Sequence, residues 1–229
     1  MKSVSIFQAK TKSIRPLNKK IRALGIDLGT TNSTVAEVVL DEGATKLPPS
    51  RCLEIEQYTT DGEHTHLLVP SVVALYGGRE IIGEGAKRLR ARLTEAGLVQ
   101  NVDLFYECKN DIGIRKTYHR AAEGYRNATE ISGHVLRFLH QAALQEEPAV
   151  DRVVVTVPAS FQAAQRNDTL AAARLAGIEV QNGDLLDEPV AAFIDYVIRA
   201  PESFDIGSDE TKRLLVFDFG GGTCDVAAF

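Results

Sequence analysis

Two runs rich in Ile, Leu and Val, Ile21 to Leu28 and Ser33 to Leu40, flank the polar tetrapeptide Gly29-Thr30-Thr31-Asn32. This pattern predicts a strand, a tight turn and a second strand. Gly29 is expected to take the positive φ of such a turn, since it has no Cβ to clash. Apolar and polar residues alternate again from Arg51 to Tyr58, another predicted strand. The Asp61-Gly62 pair within Thr59 to Glu63 then marks a hairpin turn. Leu67 to Val69, Val72 to Tyr76 and Arg79 to Ile82 continue the sheet.

The period changes at Glu84. Glu84 to Ala96 is rich in Ala, Arg and Leu with no breaker before Gly97, which predicts one surface helix with a glycine stop. Asn127 followed by Glu130 is a capping-box signature, and Ile131, Val135, Phe138, Leu139 and Ala142 then share one helical face. The near-continuous Arg152 to Val157 (RVVVTV) predicts a buried central strand ended by Pro158. Ser160 is expected to cap a helix running to Ala176 with Gly177 as its stop, and Ile178 to Gln181 to resume a strand. Asp187-Glu188-Pro189 opens a further helix to about Arg199, with the proline where its missing N–H is harmless. The order of elements predicts a mixed sheet flanked by helices.

The chain ends as it began. Val216 to Ala227 (VFDFGGGTCDVA) aligns without a gap on Gly25 to Ala36 (GIDLGTTNSTVA), Asp27 falling on Asp218 and Gly29 on Gly220. One such hairpin reads equally well as a plain glycine turn with a solvated aspartate. Two with matched spacing point to a duplicated fold gripping a polyphosphate between two concave rows of backbone N–H groups. Asp27 and Asp218, at the strand ends, would then hold hydrated Mg²⁺, which prefers oxygen ligands and keeps several waters. Neither GxxxxGK followed by Ser or Thr nor GxGxxG occurs, so the phosphate loop is of another kind.

Composition narrows the classes. A chain of 229 residues with 44% hydrophobic and 25% charged residues has ordinary globular content. The net charge of -5 gives no general attraction for nucleic acid or for an anionic membrane. No apolar run approaches the ~18 residues that span a bilayer. Seven basic residues from Lys2 to Arg22 precede the first acid, so residues 1–20 read as a basic N-terminal extension without the apolar core of a secretion signal. Cys52, Cys108 and Cys224 form no CxxC spacing, and a reducing cytoplasm is the expected location. His64 and His66 alternate on one strand face and, without a third ligand nearby, read as an exposed hairpin pair.

The strings GIDLGTTNS, VTVPASFQAAQR, LLDEPVAA and FDFGGGTCD, in this order from about Ile21 to Phe229, resemble the ATPase domain of DnaK-type heat-shock chaperones. The resemblance implies an α/β, actin-like ATPase (ribonuclease H-like) fold that binds and hydrolyses Mg-ATP to control client binding by a C-terminal domain. It implies that Gly29, Thr30, Thr31 and Asn32 form one phosphate loop, and Gly220, Gly221, Gly222 and Thr223 the other. Asp27, Asp218 and Asp225 would be associated with Mg²⁺ through water, and Glu188 would sit beside the metal waters. Lys109, in LFYECKNDIG, matches the lysine that orients the attacking water and steadies the γ-phosphate, although Asn110 stands where the family usually has Arg. The catalytic set is therefore Lys109, Glu188 and Asp218, and Pro158 and Arg166 match an interdomain relay. From the residues alone, Pro158 need only end a strand and Glu188 need only be a first-turn acid favoured by the helix dipole.

By the same resemblance, residues 21–200 are lobe I, with an inserted subdomain at about 50–130, and residues 201–229 are a linker and the first hairpin of a truncated lobe II. Adenosine contacts would lie in the absent part, so the chain alone is expected to be inactive and to bind nucleotide weakly or not at all. An isolated hairpin is marginal in water. Leu214 to Phe229 is therefore expected to be disordered, to fold back on lobe I, or to pair with a second copy in a swapped dimer. The implied partners are ATP or ADP, unfolded client proteins, a J-domain co-chaperone and a nucleotide exchange factor, with no nucleic acid and no membrane. Two other readings of the turns are a small-molecule kinase of the actin and sugar-kinase superfamily and a non-enzymatic actin-like assembly protein; VPASFQAAQR and DEPVAA favour the chaperone.

Overall fold

A computed structural model describes residues 18–45, 48–199, 214–220 and 224–228. The basic extension up to residue 17, the whole of 201–213 expected as linker, and Gly221, Gly222 and Thr223 lie outside the described residues.

The sheet grows around β1 (Ile21–Asp27), whose buried and half-buried residues alternate strictly. β2 (Asn32–Leu40) pairs with it antiparallel. The short β3 (Arg51–Cys52) follows β2 at the edge. A hairpin of β4 (Ile55–Thr59) and β5 (Gly62–His66) comes next, then β6 (Val69–Pro70), which pairs with the start of β2. β7 (Val72–Tyr76), β8 (Arg79–Ile82) and β9 (Leu104–Tyr106) make a separate three-stranded sheet in the order β8-β7-β9. Between β8 and β9 run α1 (Glu84–Ala91) and α2 (Leu93–Ala96). A 3₁₀ turn, Cys108–Asp111, follows β9.

α3 (Ala128–Glu146) leads to β10 (Arg152–Val157), which lies parallel to β1 on the side away from β2. α4 (Ala163–Leu175) then returns the chain to β11 (Leu185–Asp187), parallel to β10. α5 (Glu188–Arg199) starts directly from β11. β12 (Leu215–Phe219) and β13 (Cys224–Ala228) form the second hairpin. The main sheet is thus mixed, as the sequence predicts, and its strands run in the order β11-β10-β1-β2-β3 with β6 also paired to β2.

One core cluster joins Leu24, Ile26 and Val35 of the sheet to Ile131, Val135 and Leu139 of α3 and Ala172 and Ala173 of α4. Burial of such side chains contributes roughly 1.5–3 kcal/mol each before entropic costs. α3 and α4 pack tightly because Gly133 presents no side chain; a Cβ there would lie 3.1 Å from the Ala172 carbonyl oxygen. The predicted cap of α3 is present, the Glu130 N–H donating to Asn127 Oδ1 at 2.9 Å. No helix among the described residues is long and apolar enough to cross a membrane.

Several expectations are corrected. The run from Arg51 to Tyr58 is two strands, because Leu53 N–H donates to Val35 O and the chain then leaves β2 to pair with β5; the alternation persists while the partner changes. Glu84 to Ala96 is two helices, broken at Arg92, whose φ of -120° lies outside the helical region, and Leu93 packs into the second core cluster. α4 begins at Ala163 instead of following a Ser160 cap, with Gln162 N–H donating to Gln165 Oε1. Ile178 and Val180 are buried as alternation suggests but form no strand; β11 begins only at Leu185, after a 3₁₀ turn. For Leu214 to Phe229 the described part folds back, β12 lying beside α5, although Phe217 and Phe219 remain 57% and 75% exposed.

At the end of β1 away from Asp27, Arg22 is buried and donates through Nε to Glu37 Oε2 at 2.8 Å and through Nη2 to the Ala143 carbonyl at 3.0 Å. Arg51 adds a 2.6 Å bond to Glu37 Oε1. The network ties the start of the sheet to the end of α3. Burial pushes the Glu37 carboxyl up, but hydrogen bonds from Arg51 and Arg22 outweigh it and hold the group below the usual carboxylate range. Removing one partner of a buried pair leaves the other charge uncompensated. Glu37→Gln is therefore expected to cost about 3–5 kcal/mol in urea unfolding at neutral pH. A depressed carboxyl contributes stability above its unfolded value and loses it as pH falls through the folded value. The gap between wild type and variant should accordingly narrow below the ordinary value of 4.5; a gap that does not change with pH would show that Glu37 is not the ionised partner.

Candidate functional site

The first turn closes more tightly than sequence suggests. Gly29 is absent from the positive-φ residues, so the expected reason for a glycine is wrong. What excludes a side chain is space: a Cβ on Gly29 would lie 2.0 Å from the Asn32 carbonyl oxygen. Its N–H is directed inward, donating to Ser33 Oγ at 3.2 Å. Thr30, Thr31 and Asn32 border a cavity of about 180 Å³ shared with Ser71, Lys87 and Arg90. Arg90 stacks over the Tyr106 ring at 3.7 Å and pairs with Glu107 at 3.2 Å.

A second cavity, about 320 Å³, opens where the parallel strands end. β1 delivers Asp27, and the parallel register places Thr156 of β10 beside it, its hydroxyl donating to Asp27 Oδ1 at 2.9 Å. β11 delivers Glu188 as the first residue of α5, and β12 closes the space with Asp218. Ligands of open α/β sheets occupy this position, outside the carboxyl ends of the strands. Asp27, Glu188 and Asp218, predicted from distant parts of the sequence, are thus brought together. Asp225 faces Asp218 across the hairpin ladder, and only its backbone is described. Gly220 follows β12 at the rim, and the other members of the second glycine loop lie outside the described residues.

Lys109, on the 3₁₀ turn, reaches the same place. Its Nζ lies 2.7 Å from Glu188 Oε1, with only 11% and 13% of the two side chains exposed. The ammonium also sits 5.9 Å from the Phe161 ring centre, within range of a cation–π attraction. Burial pushes the Glu188 carboxyl up, Lys109 pulls it back, and the charges of Asp27 and Asp218 push it up again; the net direction is upward. Among the described residues three acids line the cavity, and the Lys109 ammonium meets it only through Glu188, which leaves an excess of negative charge that a cation would relieve.

Arg166 pairs with Asp187, the residue before Glu188, and its Nε donates to the Phe161 carbonyl at 3.0 Å. Phe161 N–H in turn donates to the Pro158 carbonyl at 3.0 Å. Pro158 and Arg166 therefore belong to one connected turn that braces the start of α5. Sequence reading missed Thr156, whose signal was a lone hydroxyl in an otherwise apolar strand. It also missed Ser71, Lys87 and Arg90, which carry no pattern and are placed only by the fold.

The donor set suits a hydrated hard cation. It is all oxygen, and among the described residues no group of three acids, histidines or cysteines is close enough to ligate one ion directly. Magnesium held through its own waters fits such spacing.

The family model described as Hsp70 protein matches residues 23–229. Chaperone protein DnaK of Metamycoplasma hominis is 36% identical over 206 residues, covering 89% of this chain. Chaperone protein DnaK of Mycoplasmopsis synoviae (strain 53) is 34% identical over 205 residues, again 89% of this chain. The chain spans 29% of the length of these two relatives.

If the ammonium holds the Glu188 carboxyl down against its neighbours, Lys109→Met should raise its pKa further, and an NMR titration of the side-chain carboxyl would show this. An unchanged titration would mean that the pair does not persist in solution.

Proposed function

The chain belongs to the Hsp70 protein family, and from that premise we propose that it is lobe I of a nucleotide-binding domain in a DnaK-type chaperone. The observation that carries this reading is the convergence of Asp27, Glu188 and Asp218 on one cavity at the ends of three parallel strands, with Lys109 paired to Glu188. The mixed sheet with flanking helices is the actin-like ATPase fold of that family. The proposed division is lobe I at 21–200, with an inserted subdomain near 50–130 and the beginning of lobe II from 201.

In this reading the turn Gly29–Asn32 receives phosphate, together with Gly220, Gly221, Gly222 and Thr223 from the other lobe. Hydrated Mg²⁺, when bound, supplies the charge that offsets the polyphosphate. Asp27, fixed by Thr156, and Asp218 accept hydrogen bonds from its water shell, with Asp225 nearby and Glu188 beside them. Lys109 holds the position from which an ammonium steadies charge on the transferred phosphoryl group and orients the attacking water. At present it is engaged by Glu188, so phosphate has to compete for it. Pro158 and Arg166 pass the state of the site outward through the start of α5. Control of unfolded clients, a J-domain co-chaperone, an exchange factor and a cytoplasmic setting are proposed for the protein as a whole, by family resemblance.

Because the adenosine contacts are assigned to the second lobe, this chain alone is expected to bind Mg-ATP weakly and to turn over little of it. A ligand at 100 times its Kd stabilises by about 2.7 kcal/mol; millimolar Mg-ATP should give this chain much less, and a large rise in melting temperature would overturn the expectation. In a protein carrying both lobes, Lys109→Ala is expected to lower single-turnover ATP hydrolysis by about 10²-fold or more, the scale of a lost transition-state donor. Hydrolysis near the wild-type rate would remove Lys109 from the mechanism.

A further inference from the structure

Two buried serines grip the first turn from behind. Ser33 is the second residue of β2 and fully buried; Ser71 lies between β6 and β7 and is also buried. The Gly29 N–H donates to Ser33 Oγ at 3.2 Å, and the Ser71 hydroxyl donates to the Gly29 carbonyl at 2.7 Å. The two serine oxygens lie 2.8 Å apart. A hydroxyl has one proton to give. That of Ser71 is already committed to the carbonyl, so the bond between the serines must use the proton of Ser33.

The three bonds therefore close a ring that runs in one direction: Gly29 N–H to Ser33, Ser33 to Ser71, and Ser71 back to Gly29 C=O. Hydrogen bonds in such a chain polarise one another, and in a buried site each lost member leaves an unpaired group. The ring holds both polar groups of the residue on which the turn closes, a Cβ at Gly29 lying 2.0 Å from the Asn32 carbonyl oxygen. Ser71 makes one more contact, its N–H donating to the Thr31 carbonyl at 2.9 Å. It is also the residue immediately before β7, so the three-stranded sheet holds the turn at two peptide groups.

We propose that Ser33 and Ser71 are positioning residues for phosphate recognition, their hydroxyl ring fixing the peptide groups of the Gly29–Asn32 turn before a ligand arrives. The inference rests on the reading of this turn as a phosphate loop. Donors that are already oriented spare the reorganisation that binding would otherwise cost. The ring also makes the geometry of the turn depend on where the three-stranded sheet sits, through Ser71.

The test has two arms. Amide hydrogen exchange of this chain, followed by NMR without nucleotide, reads the ring itself. In Ser33→Ala the Gly29 amide is expected to exchange about tenfold faster, the scale of one net hydrogen bond, while the β1–β2 ladder keeps its protection. Ser71→Ala should also accelerate it, and the double variant should go no further than Ser33→Ala, because a ring opened once is open. Unchanged Gly29 exchange, or accelerations that add, would overturn the ring. The second arm uses a protein carrying both lobes and titrates Mg-ATP against the Thr30 and Thr31 amide shifts. Ser71→Ala is expected to raise the apparent Kd about tenfold with the ladder amides unaffected. An unchanged Kd would reduce the serines to architecture. Wild-type Thr30 and Thr31 shifts that ignore Mg-ATP in the two-lobed protein would instead overturn the phosphate reading, and the positioning role with it, whatever the first arm shows.

Discussion

The structure depends on β1 having two kinds of neighbour. Its antiparallel partner β2 returns the chain immediately, so the polar turn sits at the tip of the strand that carries Asp27. Its parallel partner β10 runs the same way, so Thr156 and then Pro158 arrive at the same end of the sheet. β11 repeats the parallel arrangement one strand further out and delivers Glu188. A parallel pair needs a long crossover, which is why residues far apart in sequence meet here while the hairpin residues are local. A register shift of one residue would turn Thr156 away from Asp27, since side chains alternate between faces.

The price of that convergence is electrostatic. Asp27, Glu188 and Asp218 repel one another around a partly desolvated cavity, and the upward push on the Glu188 carboxyl is its expression. Lys109 offsets part of it from the outer segment of the chain, 79 residues before its partner. In the proposed reading that excess of negative charge is what a hydrated cation would offset. At the other end of β1 the balance is different: Arg22 and Glu37 are buried, but each finds further partners in Ala143, Glu147, Arg51 or the strand itself. One end of the strand is satisfied and holds the fold together, and the other is left incomplete.

The Gly29–Asn32 turn is held by shape and by buried hydroxyls rather than by a special φ. Gly29 has to be small because the chain closes on it, and Ser33 and Ser71 fix where its peptide groups point. Ser71 immediately precedes β7, the central strand of the three-stranded sheet, and Lys109 lies on the turn that follows β9. The segment between β6 and the 3₁₀ turn thus orders part of both cavities, through Ser71 at the first turn and through Lys109 at Glu188.

By itself the sequence determined the elements whose pattern is local. The β1–β2 hairpin, the cap of α3 by Asn127, the end of β10 at Pro158 and the glycine stops at Gly97 and Gly177 follow from periodicity, capping chemistry and the freedom of glycine. The repeated aspartate hairpin also marked two of the three acids of the larger cavity, Asp27 and Asp218, because duplication leaves a trace that one chain can show. The tertiary structure decided the rest. Where alternation continued while the strand partner changed, at Leu53 to Ile55, or where burial came without a partner, at Ile178 and Val180, side-chain pattern could not reveal which backbone would pair. Likewise Ser71 has no signature of its own, and although Lys109 and Glu188 were each marked by resemblance, their pairing was not, since a hydroxyl or an ion pair acquires its meaning from what a distant segment places within three ångströms of it.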